Sequence, residues 1–500
     1  MNAERPPDEE FRKAWRALPQ AESFTRKKRA LETTGLITET KFEDPAPVIF
    51  RGPTQAERLR NQILKRGHGA SFCGLFVFTF ILYFRPYELF PSLSWLYSGA
   101  FWSAVATLAI FIPTHLALEG NLTVRPKEIN LLLLLVIATL LSMPLALSFA
   151  DAWAEFTKMF IKAILMFIVM VNVVRSERRL RALLWLALAV SCYLSLNAIS
   201  DFRAGRLLDM GTRVAGVIGG MFGNPNDMAL HLVTMAPVAV AFFFTRRNPL
   251  AKIVYAMCAL LLVGGIVVSF SRGGFLGLLA AGGVLAWKLG RRHRLAVVLC
   301  VALAFVAFGA LAPSEYRNRL GTIANIGGDA TGSAGARQAL LVRSILVTAR
   351  HPLLGIGMGN FHILSIGEAV SHNAYTQVSA EMGIYALLIY LWFMVTPLRG
   401  LRRIERETFA ARRASRFYYF AVGLQAALVG YMVSSFFASV AYNFYVYYLV
   451  GYAVCLRRLY DTACAEEAEA AHAAAPADEG APRNAEIARE PPPAYSEHYA

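Results

Sequence analysis

The chain has 500 residues, 56% of them hydrophobic and 17% charged, with a formal net charge of +16. Water-soluble proteins are nearer to about 45–50% apolar and about 25% charged, so this composition argues against a soluble globular fold. The positive charge does not indicate nucleic acid, because the Lys and Arg residues fall between apolar segments rather than on one soluble face, as membrane topology itself requires.

Residues 1–68 are polar and mixed in charge, with Arg26-Lys27-Lys28-Arg29 and Lys65-Arg66. They lack a short basic region followed by an apolar core and a cleavage site, so they read as a disordered basic leader rather than a removable signal. Apolar runs of about twenty residues, each long enough to cross roughly 30 Å of hydrocarbon, then recur at 71–89, 96–118, 129–149, 156–174, 180–199, 227–244 and 253–270. Shorter runs at 275–287 and 295–311 precede a long interruption, and 384–397, 417–437 and 440–456 complete the set. Period-2 alternation does not persist, which argues against a barrel. The expected fold is all-α, a polytopic transmembrane bundle of about twelve spans. The expected divisions are a leader at 1–68, helices one to nine over 69–311, a large outer loop at 312–383, helices ten to twelve over 384–457, and a disordered tail at 458–500 rich in Ala, Glu and Pro.

With the N-terminus inside, the inner connections hold Arg178-Arg179, Arg246-Arg247, Arg291-Arg292 with Arg294, and Arg402-Arg403 with Arg412-Arg413. That bias satisfies the positive-inside rule and places both termini in the cytoplasm. The six cysteines show neither a disulfide framework nor Cys/His metal spacing. No metal site and no cofactor are expected: there is no Asp-x-Asp pair and no Walker A sequence.

Arginines on the outer side oppose the insertion bias and call for a reason. Arg203, Arg206 and Arg213 share one connection, Arg272 stands between two apolar spans, and Arg317, Arg319, Arg337, Arg343 and Arg350 lie in the large loop. A cation beside hydrocarbon at Arg272 marks either a function or a snorkelling helix end. Asn224-Pro225-Asn226-Asp227 before an apolar run reads as a turn and helix N-cap whose N–H groups can face an anion. The Gly355-x-Gly357-x-Gly359 run has no strand or βαβ context, so it reads as a turn rather than a nucleotide motif. His372 in the large loop is either structural or a general base near neutral pH. Glu381 either orients His372 or caps the following helix.

Four stretches taken together, Phe222-Gly223-Asn224-Pro225-Asn226-Asp227, Ser271-Arg272-Gly273-Gly274, Pro352–Phe361, and His372-Asn373-Ala374-Tyr375 with Glu381-x-Gly383, give the chain a resemblance to the O-antigen ligase/polymerase family of bacterial envelope glycan enzymes. The resemblance covers roughly residues 70–460 in architecture, with its motifs between 210 and 385; leader and tail lie outside it. It implies a multi-pass inner-membrane enzyme whose 312–383 loop is periplasmic and catalytic. Such an enzyme uses glycan carried on undecaprenyl diphosphate. It transfers the glycan to lipid A–core, to another glycan or to a protein hydroxyl, with no nucleic acid among its partners and membrane lipids around it. The implied catalytic residues are His372 as base with Arg272 and Arg337 on the diphosphate; Arg213, Asn224, Asn373, Tyr375 and Glu381 are the implied substrate contacts. A polymerase or a protein oligosaccharyltransferase remains open within the family, and a transporter for the same lipid-linked glycan remains open outside it.

Overall fold

The computed structural model describes residues 67–207, 213–290, 333–412 and 415–474, and among them every regular element is helical. The long helices in chain order are α1 (Gly69–Phe84), α2 (Gly99–Glu119), α3 (Lys127–Ser142), α4 (Ile161–Val173), α5 (Glu177–Arg203) and α6 (Pro225–Thr245). They continue with α7 (Pro249–Val268), α8 (Arg272–Leu289), α9 (Ser333–Arg350), α10 (Ala374–Glu407), α11 (Tyr418–Ser434) and α12 (Phe444–Ala474). Nine helical stretches among the described residues are long and apolar enough to cross a membrane. This is a multi-pass membrane protein.

The expected run at 275–287 forms within α8, and the run at 440–456 becomes helical from Phe444 onward as the start of α12, which is mostly buried through its first half. Tyr445, Tyr447, Tyr448 and Tyr452 fill that half and are each nearly inaccessible. Their hydroxyls make the segment less apolar than a lipid-facing span while it forms the centre of the bundle. The expected run at 295–311 lies outside the described residues, as do the leader through residue 66 and the tail beyond 474. Large side chains such as Trp102, Leu250, Leu260 and Trp287 project outward, as a hydrocarbon solvent allows and water would not.

Two sequence expectations are corrected. Residues 458–474 are not the start of a disordered tail: α12 continues through them to Ala474. Alanine and glutamate are strong helix formers, and Asp461 pairs with Arg403 while Tyr460 packs edge-on against Phe417. The stretch 312–383 is not a plain loop either, since α9 fills 333–350.

The two ends of the bundle differ in chemistry. At one end meet the starts of α1 and α5, the ends of α2, α8 and α10, and residues 416 and 457. Arg179 Nη2 donates to the Gly67 carbonyl (3.1 Å), Arg416 pairs with Glu177 (2.8 Å), and Lys288 pairs with Glu405. Just inside this end, Arg457 grips the fully buried Glu128 with two hydrogen bonds of 2.6 and 2.7 Å, joining α12 to α3. Removing one partner would leave an uncompensated buried charge, at about 3–5 kcal/mol. Arg178-Arg179 and Arg402-Arg403, recognised in the sequence as inner connections, lie at this end; Arg291, Arg292, Arg294 and Arg413 lie outside the described residues. The opposite end collects the segments around 85–88, 213–227, 269–274, 352–373 and 435–443.

Candidate functional site

Three turn motifs at that second end are joined through one side chain. Asn224 caps α6 by accepting from the Asn226 N–H (2.8 Å), with Pro225 in the first helical turn. This leaves the Asn226 side chain free of capping duty, and its Oδ1 accepts from Arg213 Nη2 at 2.8 Å and from Ser271 Oγ at 3.0 Å. Arg213, only 5% exposed, also reaches the Ser269 carbonyl through Nε at 3.4 Å. Asn226 therefore fastens the 213 segment, the start of α6 and the start of α8 together. Sequence reasoning read it only as part of a turn, and nothing in the spacing reveals its contacts with residues 13 and 45 positions away.

Arg272 opens α8. Ser271 Oγ caps the helix at the Gly274 N–H (3.2 Å), and Phe270 before it adopts a left-handed backbone (φ 53°) that turns the chain out of α7. The glycines that follow are there for packing. A Cβ on Gly273 would lie 2.7 Å from the Phe437 Cβ, and one on Gly277 would lie 1.9 Å from Ser434 Oγ. Small residues let membrane helices approach closely, so α8 is drawn against α11, and Ser434 Oγ donates to the Gly273 carbonyl (3.1 Å). Arg272, 8% exposed, is held where α6, α8 and α11 meet.

His372 immediately precedes α10. Its backbone is left-handed (φ 51°), uncommon for a residue with a Cβ. Its N–H donates to Ser439 Oγ at 2.8 Å. Ser439 follows directly on the Ser434–Phe437 turn that abuts Gly273, so one short segment contacts both the Arg272 and the His372 motifs. Burial, and after it the nearby Arg337 guanidinium, pull the His372 pKa below its ordinary 6.5. The imidazole is thus neutral near pH 7 and able to accept a proton. Arg337, on the first turns of α9, is electrostatically close both to His372 and to Asp227, and Asp227 also faces Arg213. Arg213, Arg337, Asp227 and the neutral His372 are therefore electrostatic neighbours at this end of the bundle, with Arg272 linked to Arg213 through Ser271 and Asn226. Asp227 was absent from the expected site and reads from sequence only as a first-turn acid.

Other expected residues take supporting positions. Asn373 Oδ1 caps α10 by accepting from the N–H groups of Tyr375 (2.9 Å) and Thr376 (3.2 Å). Tyr375 donates to the Met432 carbonyl (2.6 Å) and accepts from Ser435 Oγ (3.2 Å), bracing α10 on α11. Glu381, expected as a substrate contact and as a residue that either orients His372 or caps the following helix, has its partners in the glycine run and at Tyr442. Its carboxylate, 3% exposed, accepts from the Gly359 N–H (2.9 Å), the Phe361 N–H (3.3 Å) and the Tyr442 hydroxyl (2.6 Å). The reason is the glycine run, which docks on the α10 backbone: Ile356 and Gly357 N–H groups donate to the carbonyls of Ala380 (3.0 Å) and Glu381 (2.9 Å). Helix α10 breaks at Gly383 (φ 88°), where a Cβ would stand 2.0 Å from the Leu353 carbonyl oxygen. The two motifs are halves of one joint that sets the direction in which α10 presents His372. Among the remaining outer arginines, Arg206 pairs with Asp201 (2.7 Å) and Arg343 donates to the Leu364 carbonyl (2.7 Å); Arg317 and Arg319 lie outside the described residues.

No curated protein matches the chain. A protein-family model described as O-antigen ligase does match, over residues 256–391. That span runs from α7 through α8 and α9 into α10 and contains Arg272, Arg337, His372 and the joint at Glu381 and Gly383; Arg213 and Asn226 precede it. Over residues 256–391 the chain carries the domain of the O-antigen ligase family.

Proposed function

We propose that this protein is a membrane glycosyltransferase that moves a glycan from undecaprenyl diphosphate to an acceptor hydroxyl, with lipid A–core as the acceptor. The observation that carries the reading is the Asn226 side chain binding both Arg213 (2.8 Å) and Ser271 (3.0 Å), the residue before Arg272, at the end of the bundle where burial and then Arg337 lower the His372 pKa and keep the imidazole neutral. A lipid diphosphate leaves readily once its charge is neutralised. Arginine suits this role because its planar fork of donors stays charged and matches phosphate oxygens.

In the proposed step His372 takes the proton from the acceptor hydroxyl. The acceptor oxygen then bonds to the anomeric carbon as the bond from that carbon to the diphosphate oxygen breaks, and undecaprenyl diphosphate departs. One displacement inverts the anomeric centre. Arg272, Arg337 and Arg213 stabilise charge developing on the leaving oxygens, an effect worth about 3–4 kcal/mol for a single well-placed donor.

Arg272→Ala and His372→Ala should each abolish glycan transfer in cells at unchanged membrane levels of the protein; transfer at the wild-type level by both would sink the assignment. The lipopolysaccharide profile of a deletion strain decides the acceptor. Loss of all long chains from lipid A–core supports ligation, and capping by a single repeat supports polymerisation instead.

A further inference from the structure

At the end of the bundle opposite His372, three side chains from two helices converge: His68 just before α1, and His115 and Glu119 one turn apart at the end of α2. We propose that they form a binding site for a divalent cation of the zinc class, which staples the first two membrane helices together. The site lies the length of α1, roughly 24 Å at 1.5 Å per residue, from the catalytic end and takes no part in transfer.

The geometry matches the cation. Glu119 Oε1 lies 3.2 Å from His115 Nδ1 and 3.6 Å from His68 Nε2, and the two ring nitrogens are 3.5 Å apart. Zinc bonds to nitrogen and oxygen at about 2.0–2.1 Å in a tetrahedron, whose edges are then about 3.3–3.4 Å. The three separations bracket that edge, leaving one face for a water or a fourth ligand. Two imidazoles and a carboxylate are borderline ligands that favour zinc over magnesium or calcium.

Hydrogen bonding fixes the chemistry of the rings. His115 Nε2 lies 3.1 Å from Asn121 Oδ1, and Asn121 Nδ2 donates to the Glu119 carbonyl (3.2 Å), which sets the amide with its oxygen toward the ring. Nε2 therefore carries the hydrogen, and Nδ1 of the neutral ring turns a lone pair toward Glu119. A ligating histidine is oriented through its other nitrogen in this manner. His68 is 2% exposed, and its Nδ1 has no hydrogen-bond partner among the described residues. Arg175 donates to the same Glu119 oxygen and is itself anchored by Nε to the Asn172 carbonyl (2.7 Å), which holds the carboxylate in place and leaves its second lone-pair direction to the histidines. The Phe111 ring, itself buried, stacks on His115 at 5.1 Å and covers one face of the imidazole. The sequence shows no metal spacing because His68 is separated from His115 by a helical hairpin.

The test uses the full-length protein carrying an affinity tag without histidines, purified in detergent, stripped with a chelator and titrated with Co2+ and separately with Zn2+. One equivalent of Co2+ should bind with the visible absorption of a tetrahedral site, be displaced by Zn2+, and be lost in His115→Ala and Glu119→Gln but kept in His351→Ala. X-ray absorption on the zinc-loaded wild type should show two imidazoles in the first shell, a readout that needs no variant to fold. Absence of stoichiometric uptake by the wild type would leave the cluster a plain polar contact between the two helices and overturn the proposal, as would uptake unchanged in His115→Ala.

Discussion

Replacing Asn226 by alanine tests whether the three turn motifs act as a unit. The substitution removes the acceptor of two hydrogen bonds, one from the Arg213 guanidinium at 2.8 Å and one from Ser271 Oγ at 3.0 Å. A hydrogen bond to a charged group contributes about 1.5–3 kcal/mol and a neutral one about 0.5–1.5 kcal/mol, so the joint loses about 2–4 kcal/mol of the energy that holds it. If that energy preorganises the arginines for the leaving diphosphate, kcat/KM for glycan transfer falls by about 30- to 1,000-fold, since each 1.36 kcal/mol is a factor of ten. The cap at Asn224 survives, so α6 should still form, while the lost hydrogen bonds should lower thermal stability by a few degrees. Asn226→Asp keeps an acceptor for both donors and adds charge complementarity to Arg213, and should recover most of the rate. The assay is transfer of labelled glycan by purified variants in proteoliposomes. An Asn226→Ala enzyme at the wild-type rate, with Arg213→Ala inactive, would refute the joint; failure of the aspartate to recover more than the alanine would refute the hydrogen-bond argument.

Other consequences follow from the same geometry. Because the His372 pKa lies below 6.5 and its neutral form is the base, kcat/KM should be level through neutral pH and fall only as pH drops through that lowered value. Arg337→Gln should move this acid limb upward but still leave it below 6.5, because burial is the larger cause; an unmoved limb would separate Arg337 from His372. Gly383→Ala combines a left-handed backbone, costing about 1–2 kcal/mol, with a 2.0 Å approach to the Leu353 carbonyl. It should lower the melting temperature sharply, whereas Gly335→Ala, whose Cβ meets nothing within 4 Å, should leave it unchanged. Glu381→Ala orphans two backbone N–H groups at about 1–3 kcal/mol each. It should depress stability and rate without shifting the acid limb, and a shifted limb would restore the idea that Glu381 orients His372.

Much of the membrane architecture was legible because apolar length is a one-dimensional quantity: the runs at 71–89, 227–244 and 253–270 reappear as helices with boundaries displaced by a few residues. The interior helix α12 was legible by length but its extension to Ala474 was not, since an Ala/Glu-rich segment is helical only when something pins it. Here Arg403 and Phe417 do so. Within the site, the turn and helix cap at 224–227 could be read locally, and Asn224 does cap α6; the Ser271 cap of α8 appears only in the structure. What sequence could not supply were the contacts across the fold. Asn226 as a hub, Asp227 between two arginines, and Glu381 as the anchor of the glycine run each depend on partners brought together by packing. Glu381 is the clearest case: a carboxylate nine residues beyond a histidine suggests a dyad, yet the glycine run supplies nearer N–H groups.

The central claim is that His372 and the arginines make a glycosidic bond. The most direct measurement is product formation by the purified protein in proteoliposomes supplied with lipid-linked glycan and lipid A–core, comparing wild type with His372→Ala and Arg337→Ala. The account predicts a new, inverted linkage and released undecaprenyl diphosphate from the wild type. It predicts losses of about 100-fold or more in each variant, the scale of removing a general base or an electrostatic stabiliser. Movement of labelled donor across the bilayer with no new bond, or bond formation at the wild-type rate by His372→Ala, would contradict it.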